Sequence, residues 1–263
     1  MNNTKQHIAY FASDFHLGAP DDRRSYDREK KILTWLDAIA TDATHIFLVG
    51  DIFDFWFEYK HAIPKGFVRI QAKIAELVDN GIEVHFFHGN HDMWMFEYFT
   101  KELGVIIHPN EFEIELNSTR VFISHGDGVG PGDRGYKMIK KIFRNKLCQW
   151  LFARLHPNLG IGLARYLSQS SRKKTGHLDE EFNGMQSEWI FHYLKNKHPE
   201  FKANTYIFGH RHLPLFVKET DFQYINLGEW LHTCSYAKFS EKGWELLKWQ
   251  KNQAFPLTSA HLQ

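Results

Sequence analysis

Three short apolar runs, separated by two segments with helical periodicity, occupy the first third of the sequence. Residues 7–12, 45–49 and 82–87 have the length and composition of buried strands. The segment that begins at Ser25 and the segment 67–78 repeat apolar residues at helical spacing. Strands joined through helices need crossover connections, so this pattern predicts an α/β fold with a mainly parallel sheet and helices on both faces.

The remainder of the chain indicates further elements of the same unit. Residues 111–116 and 120–124, separated by Asn117-Ser118-Thr119, predict a β-hairpin, and residues 180–197 predict a helix. A length of 263 residues with 43% hydrophobic residues fits one globular unit, so we assign residues 1–263 to a single domain. Three more short runs predict strands: 205–208, 222–225 and 235–239.

Residues 130–198 differ from the rest and predict a basic, amphipathic, helical insertion. Between Arg134 and Leu178 there are eleven basic residues and no acidic residue, interleaved with apolar residues such as Trp150 and Phe152. These residues alone leave three interpretations open. The insertion is a solvated helical face packed on the core, a surface that binds nucleic acid, or an attachment to an anionic lipid surface.

Composition narrows the classes of function. The chain has 32 lysines and arginines against 31 acidic residues, so its net charge of +1 gives no global attraction to nucleic acid. Two cysteines, Cys148 and Cys234, allow at most one disulfide and no cysteine-based zinc site, which favours a reduced, cytosolic setting. We find no signal-peptide pattern and no run of 18 apolar residues, so the sequence predicts neither secretion nor a membrane span.

Five polar clusters follow predicted strands, where open α/β sheets place their ligand sites. Their side chains are carboxylates, imidazoles and an amide without a thiolate, a donor set that suits Mn, Fe or Zn. Glycines stand beside these side chains at turns where the backbone needs unusual torsion angles or a close approach. The clusters are Asp14-x-His16, Gly50-Asp51-x-x-Asp54, Gly89-Asn90-His91-Asp92, His125-Gly126-Asp127 and Gly209-His210-Arg211-His212.

The donors in these clusters are sufficient for two divalent ions. If Asp51 bridges the ions, each ion receives four protein ligands and keeps positions for water and a phosphate oxygen. Two ions about 3.5–4 Å apart activate water for in-line attack on phosphorus, so the pattern predicts hydrolysis of a phosphate ester or anhydride. We expect Asp54 to hold a metal-bound histidine in one tautomer, or to be a simple turn residue. The seven proposed ligands are Asp14, His16, Asp51, Asn90, His125, His210 and His212.

The order of the clusters resembles the calcineurin-like metallophosphoesterase superfamily, whose pattern is DxH, GDxxD, GNHD, a later histidine and GHxH. This resemblance implies an α/β/β/α sandwich. It also implies that His91 is catalytic, donating to the transition-state oxygens or the leaving group, with Asn90 beside it and Asp92 orienting it. By the same resemblance, one metal ion is held by Asp14, His16, Asp51 and His212, and the other by Asp51, Asn90, His125 and His210.

Within the superfamily the sequence resembles the bacterial UDP-2,3-diacylglucosamine hydrolase family of the lipid A pathway. The segments that carry this likeness are 11–18, 50–56, 125–128 and 226–230, followed by the helical insertion. The likeness implies cleavage of a pyrophosphate bond to give UMP and 2,3-diacylglucosamine 1-phosphate. It also implies two ions, most simply Mn²⁺, a lid over acyl chains, and a peripheral position on the cytoplasmic face of the inner membrane.

The same resemblance suggests substrate contacts and partners. Asn90, His91, His210 and Asp133 are the expected substrate contacts, although better-known members of that family carry Arg at the position of His91. The expected partners are the lipid-linked nucleotide sugar and the membrane surface, with neither nucleic acid nor an obligate protein partner. Two alternatives stay open: a phosphoesterase for another nucleotide or phosphodiester, and a catalytically silent adaptor of the same fold.

Overall fold

Two β-sheets pack face to face and carry helices on their outer faces, which confirms the predicted α/β/β/α sandwich. The computed structural model of the protein describes residues 6–130, 134–175 and 182–257. In these residues the larger sheet has seven strands, in the order β12-β11-β10-β1-β2-β3-β4. They are β1 (Ala9–Ala12), β2 (His45–Leu48), β3 (Glu83–Phe87), β4 (Ile106–His108), β10 (Ser235–Ser240), β11 (Gly243–Gln250) and β12 (Gln253–Pro256).

The smaller sheet brings a second set of parallel strands to the same edge of the molecule. Its five described strands are ordered β5-β6-β7-β9-β8, with β6 parallel to β7 and β7 parallel to β9. In the larger sheet β1, β2, β3 and β4 are also parallel neighbours. The five strands are β5 (Phe112–Leu116), β6 (Thr119–Ser124), β7 (Thr205–Phe208), β8 (Leu215–Lys218) and β9 (Gln223–Asn226).

Alternating side chains of β1 show why the chain needs two sheets. Tyr10 and Ala12 pack among helices α1 (Asp22–Ile39), α2 (Val68–Asp79) and α3 (Tyr98–Leu103). Ala9 and Phe11 face the smaller sheet, and the Phe11 ring stacks on Phe47 with centroids 4.6 Å apart. The expectation of one sheet with helices on both faces is therefore wrong, because both faces of β1 are apolar and sequence alone does not tell a helix cover from a sheet cover.

Two helix boundaries differ from the predicted ones. Helix α1 begins at Asp22, three residues before Ser25, because the Asp21 side chain accepts a hydrogen bond from the Arg24 amide at 2.9 Å. The helix predicted over 180–197 is instead α7 (Trp189–Phe201). Of the predicted segment, 180–181 lie outside the described residues, and 182–188 are not α-helical; they contain Gly184 at φ 87 and a 3₁₀ turn.

Three helices, α4 (Arg134–Arg144), α5 (Lys146–Phe152) and α6 (Pro157–Thr175), lie between β6 and α7 and are called the lid below. The lid packs on the two-sheet body through Phe143 and Phe152, which contact Trp94. The Trp94 indole also donates a hydrogen bond to the Phe143 carbonyl at 2.8 Å. None of the helices in the described ranges is long and apolar enough to cross a membrane.

Candidate metal centre

The ends of five strands bring the predicted ligands to one edge of the sandwich. The Asp14 amide donates to the Gly50 carbonyl at 3.1 Å and so joins the turns after β1 and β2. The His210 amide donates to Asp14 Oδ2 at 3.0 Å, which ties the smaller sheet to the larger one. Ligands from both sheets therefore meet: Asp14 and His16 after β1, Asp51 after β2, Asn90 after β3, His125 after β6, and His210 and His212 after β7.

Asp14, His16 and His212 form the first ligand group. The Nε2 atoms of His16 and His212 are 3.1 Å apart, and His212 Nε2 is 3.2 Å from Asp14 Oδ1. His16 Nε2 also lies 3.9 Å from Asp51 Oδ2. Ligand atoms at such spacing fit around a single cation.

Asp51, His125 and His210 form the second group, and Asp51 contacts both. His125 Nε2 is 3.4 Å from Asp51 Oδ2 and 3.2 Å from the Asn90 amide oxygen. The rings of His125 and His210 are 5.2 Å apart. In each group one atom per residue lies within 4.8 Å of the others, and His16, Asp51 and His91 meet the same criterion. Asp51 therefore lies between two clusters that each have the form of a cation site.

Asp14 shows that the cluster fits a cation. Its Oδ1 atom is buried and has no hydrogen-bond partner among the described residues, although His212 Nε2 is close. An unsatisfied buried carboxylate oxygen is costly, because it has lost water without gaining a donor. Two acceptor atoms that face each other without hydrogen-bond geometry are typical of two ligands of the same ion. Carboxylate, imidazole and amide donors suit a divalent metal of intermediate hardness.

The backbone at the centre is held in an uncommon conformation. Asp14, His16, Asp51, His210 and His212 all have φ between 44° and 65°, a left-handed region that bulky residues seldom adopt. Such torsion angles persist because surrounding hydrogen bonds impose them. Space is equally limited, since a Cβ added to Gly89 would stand 2.1 Å from Asp51 Oδ1 and 2.4 Å from the Asp51 amide nitrogen.

The carboxylates and imidazoles of the cluster shift one another's pKa values. Burial by itself raises the pKa of Asp14, but His16 and His212 beside it hold that pKa well below its usual value. Burial by itself lowers the pKa of His125, yet the charge of Asp51 raises it to about 10. Burial and the charge of His125 lower the pKa of His210 to about 4. Cations that bind here must therefore displace protons.

His91, the predicted catalytic residue, lies at the rim of the centre. Its amide donates to Asp51 Oδ1 at 2.8 Å, and its ring lies 5.0 Å from the His16 ring in a T-shaped contact. Its Nδ1 lies 3.1 Å from the Asp54 carbonyl, and Asp54 Oδ1 is 3.7 Å from both His91 Nδ1 and His16 Nδ1. Asp54 thus lies between the imidazoles of His16 and His91, and its predicted role in orienting a metal-bound histidine stays a prediction.

Asp92 is buried and acts on the backbone of the site. Its carboxylate accepts hydrogen bonds from the amides of Gly89, Asp51, Ile52 and Phe53 at 2.7–3.2 Å. Burial and the charge of Asp51 raise the pKa of Asp92 to about 7. These contacts fix the loop that presents Asp51, and the predicted role of Asp92 in orienting His91 stays a prediction. Asp133, the predicted substrate contact, lies outside the described residues.

Several neighbours of the centre were not predicted. Ser168 of the lid lies with its hydroxyl 3.1 Å from His91 Nδ1. Asp127, in the turn that carries His125, accepts hydrogen bonds from Tyr136 and Lys140 of α4. The sequence placed Asp127 in a polar cluster, but the lid residues gave no signal, because their contacts depend on how the lid folds back over the body.

Two sheets with carboxylates and imidazoles converging at their strand ends define a metallophosphoesterase. The chain matches the calcineurin-like phosphoesterase family over residues 9–214 and belongs to that family. It is 37% identical to UDP-2,3-diacylglucosamine hydrolase from Porphyromonas gingivalis over 243 residues, which cover 87% of this chain and 92% of that protein. The protein of the same name from Histophilus somni is 26% identical over 90% of this chain and 98% of its own length.

Among solved structures, Vacuolar Protein Sorting 29 from Cryptosporidium parvum superimposes with a TM-score of 0.50. The alignment covers 96% of each chain at 12% sequence identity. A likeness at that level of identity shows the fold alone.

Proposed function

We propose that this protein hydrolyses the pyrophosphate bond of UDP-2,3-diacylglucosamine to UMP and 2,3-diacylglucosamine 1-phosphate. The observation that carries the proposal is the pair of ligand groups at the strand ends, with Asp51 in one group and 3.9 Å from His16 of the other. The relatives that are named for this reaction match nearly the whole chain, including the region of the lid. A pyrophosphate bond is also the type of bond that such a centre is suited to hydrolyse.

We assign two divalent ions, most simply Mn²⁺, to the centre. One would be held by Asp14, His16, Asp51 and His212, and the other by Asp51, Asn90, His125 and His210. When bound, the ions would neutralise phosphoryl oxygens and activate the attacking water. All seven side chains converge, so the loss of ligands that a silent adaptor would be expected to show is not observed.

Three residues at the mouth of the centre would contact the substrate. Asn90, His91 and His210 are partly exposed, whereas Asp14 and Asp51 are buried beneath them. A carbonyl oxygen only accepts, so the contact with Asp54 places a proton on His91 Nδ1. His91 Nε2, when it is also protonated, is then the atom that donates to the leaving phosphate.

The lid would receive the acyl chains and hold the protein at the membrane. Eleven of the fifteen exposed large apolar side chains of the described residues lie between Met138 and Leu167. The same segment is basic, with Arg154 placed over the Trp150 ring at 4.6 Å. An amphipathic surface with cations and aromatic rings suits an anionic lipid interface, so we place the protein at the cytoplasmic face of the inner membrane.

The direct test is release of UMP from purified UDP-2,3-diacylglucosamine in the presence of Mn²⁺. A metal-stripped sample and a generic aryl phosphate ester serve as controls. We expect rapid, metal-dependent release of UMP from the lipid and slower hydrolysis of the ester. Hydrolysis of the ester alone would keep the metal centre and reject the lipid substrate, and the absence of both activities would reject the hydrolase.

A further inference from the structure

The loop Gly209–His212 mounts two proposed ligands on strained backbone. His210 and His212 have φ angles of 65° and 44°, and Arg211 stands between them. The loop is tied to its surroundings on the Gly209 side, where the Asn226 side-chain amide donates to the Gly209 carbonyl at 2.8 Å. His210 is held through its amide by Asp14. The torsion angles of such a loop depend on every anchor that fixes it.

Arg211 supplies a further anchor through a buried ion pair with Glu188. Arg211 Nε lies 3.2 Å from Glu188 Oε2, and Arg211 Nη2 lies 3.1 Å from Glu188 Oε1, a two-pronged contact. Both residues are almost fully buried, at 2% and 0% exposure. The guanidinium also lies 5.2 Å from the Trp189 ring. Because the guanidinium and the carboxylate are both planar, the two hydrogen bonds fix the direction of the contact as well as its distance.

Glu188 connects this anchor to the insertion. It directly precedes α7, and its carboxylate holds the side chain of Arg211, the residue that stands between the two histidines. Its charge has a second consequence. A buried guanidinium beside two cation ligands would repel the cations, and the Glu188 carboxylate cancels that charge.

We propose that Glu188 and Arg211 are positioning residues that set the orientation of His210 and His212 and thereby the affinity for both metal ions. The inference rests on the proposed ligand roles of the two histidines. It makes the segment after the lid part of the support of the metal centre. Residues that orient ligands through such contacts change metal affinity by about 10–100-fold when they are replaced.

The test is a titration of the metal-stripped full-length protein with Mn²⁺, with free Mn²⁺ followed by electron paramagnetic resonance. We expect the unmodified protein to bind two ions. Glu188→Gln and Arg211→Lys, which keep the size of the side chains, should weaken at least one of them about tenfold. The control is Leu194→Ala, a buried position of α7 that should lower the melting temperature without changing Mn²⁺ affinity.

A double variant separates positioning from simple stability. Glu188→Leu with Arg211→Met replaces the ion pair by apolar side chains, an exchange that often preserves folding. We expect this protein to keep its melting temperature but not its Mn²⁺ affinity. Normal binding of two ions by the double variant, or by Arg211→Lys if the double variant does not fold, would overturn the inference. If the unmodified protein binds no Mn²⁺, the proposed metal centre itself is wrong.

Discussion

The metal centre and the lid hold their functional side chains in contrasting ways. At the centre Asp14 and Asp51 are at most 1% exposed, and backbone amides fix the loops that carry them. On the lid Trp150 is 53% exposed and Leu159 is 69% exposed. The first region is fixed by contacts within the protein, and the second leaves large apolar side chains exposed.

Under the proposed function, this contrast separates the chemistry from the selection of the substrate. The centre gains its geometry from strand ends and strained turns, so small changes of shape there should abolish reaction on any phosphate substrate. Under the proposed function, the exposed side chains of the lid contribute area and charge, so changes to them should alter lipid affinity while leaving the reaction itself intact. The two kinds of variant should therefore give different kinetic signatures.

The largest effect should follow from Asp51→Ala, which removes the carboxylate that belongs to one ligand group and lies 3.9 Å from His16 of the other. Metal ions contribute several kcal/mol of transition-state stabilisation, so turnover should fall at least about a thousandfold on lipid and soluble ester alike. UMP release measures turnover, and circular dichroism checks the fold. Asp37→Ala, at an exposed ion pair with Lys73, is the control and should keep full activity. Turnover within tenfold of normal for Asp51→Ala would contradict the shared-carboxylate centre.

Gly89→Ala should be the next most severe change. The new Cβ would stand 2.1 Å from Asp51 Oδ1 and 2.4 Å from the Asp51 backbone nitrogen, so the loop must move. A displacement of about 1 Å in such a centre lowers turnover by about a hundredfold. The same measurement on Gly135→Ala in α4, where a Cβ meets nothing within 4 Å, should show normal turnover. Equal activity of both variants would show that the centre tolerates movement.

The metal centre could be predicted because its residues form linear motifs. Each ligand stands within a few residues of a strand end, and the parallel order of β1, β2 and β3 brings those ends together. The same reasoning applies to the smaller sheet, because Thr205–Phe208 reads as a strand in the sequence and His210 and His212 follow it. The sequence therefore predicted which side chains meet, although it did not predict their left-handed torsion angles.

The contacts between lid and body could not be predicted in this way. Ser168 and His91 are 77 positions apart and meet because α6 returns over the centre. Glu188 and Arg211 likewise pair across two loops whose relative position depends on the packing of α7. Strand β12 was missed for another reason, since all four of its residues are exposed and carry no alternating apolar pattern.

Acid should lower the unfolding free energy of the two-sheet body through His85, a buried residue of β3. Burial, with a smaller contribution from His108, lowers the pKa of His85 to about 3, below its ordinary 6.5. The unfolded chain then binds more protons between these values, so stability is complete above pH 6.5 and is lost as the pH falls toward 3. From pH 7 to pH 5 this group should remove on the order of 2 kcal/mol of unfolding free energy.

Urea unfolding at the two pH values tests this expectation. His85→Phe should reduce the loss between pH 7 and pH 5, because the buried titratable ring is replaced by an apolar one that can stack on Phe47 as His85 does, with centroids 4.5 Å apart. The control His61→Gln alters an exposed histidine and should keep the normal loss. An unchanged pH dependence in His85→Phe would show that other groups govern acid sensitivity.

Trp150→Ala should distinguish lipid binding from chemistry. Half of the indole is exposed, so its contact with an acyl chain or lipid surface would contribute roughly half of a buried side chain's 1.5–3 kcal/mol. We expect KM for the lipid to rise about tenfold while hydrolysis of a soluble ester stays the same. Val68→Ala truncates an apolar side chain that is 70% exposed outside the lid and should change neither value. Equal losses on both substrates would reject the lid as a lipid contact.

The smallest effect should come from two glycines of α6 that differ in their surroundings. A Cβ on Gly162 meets nothing within 4 Å, so Gly162→Ala should stabilise the helix by about 0.5–1 kcal/mol and slow its amide hydrogen exchange. A Cβ on Gly160 would stand 2.3 Å from Tyr59 Oη, so the Tyr59 side chain must shift and Gly160→Ala should not slow the exchange. Soluble-ester turnover should remain normal in Gly162→Ala, because a Cβ there meets nothing and leaves the contacts between α6 and the centre in place. A fall in that turnover would instead show that the lid helps to shape the centre.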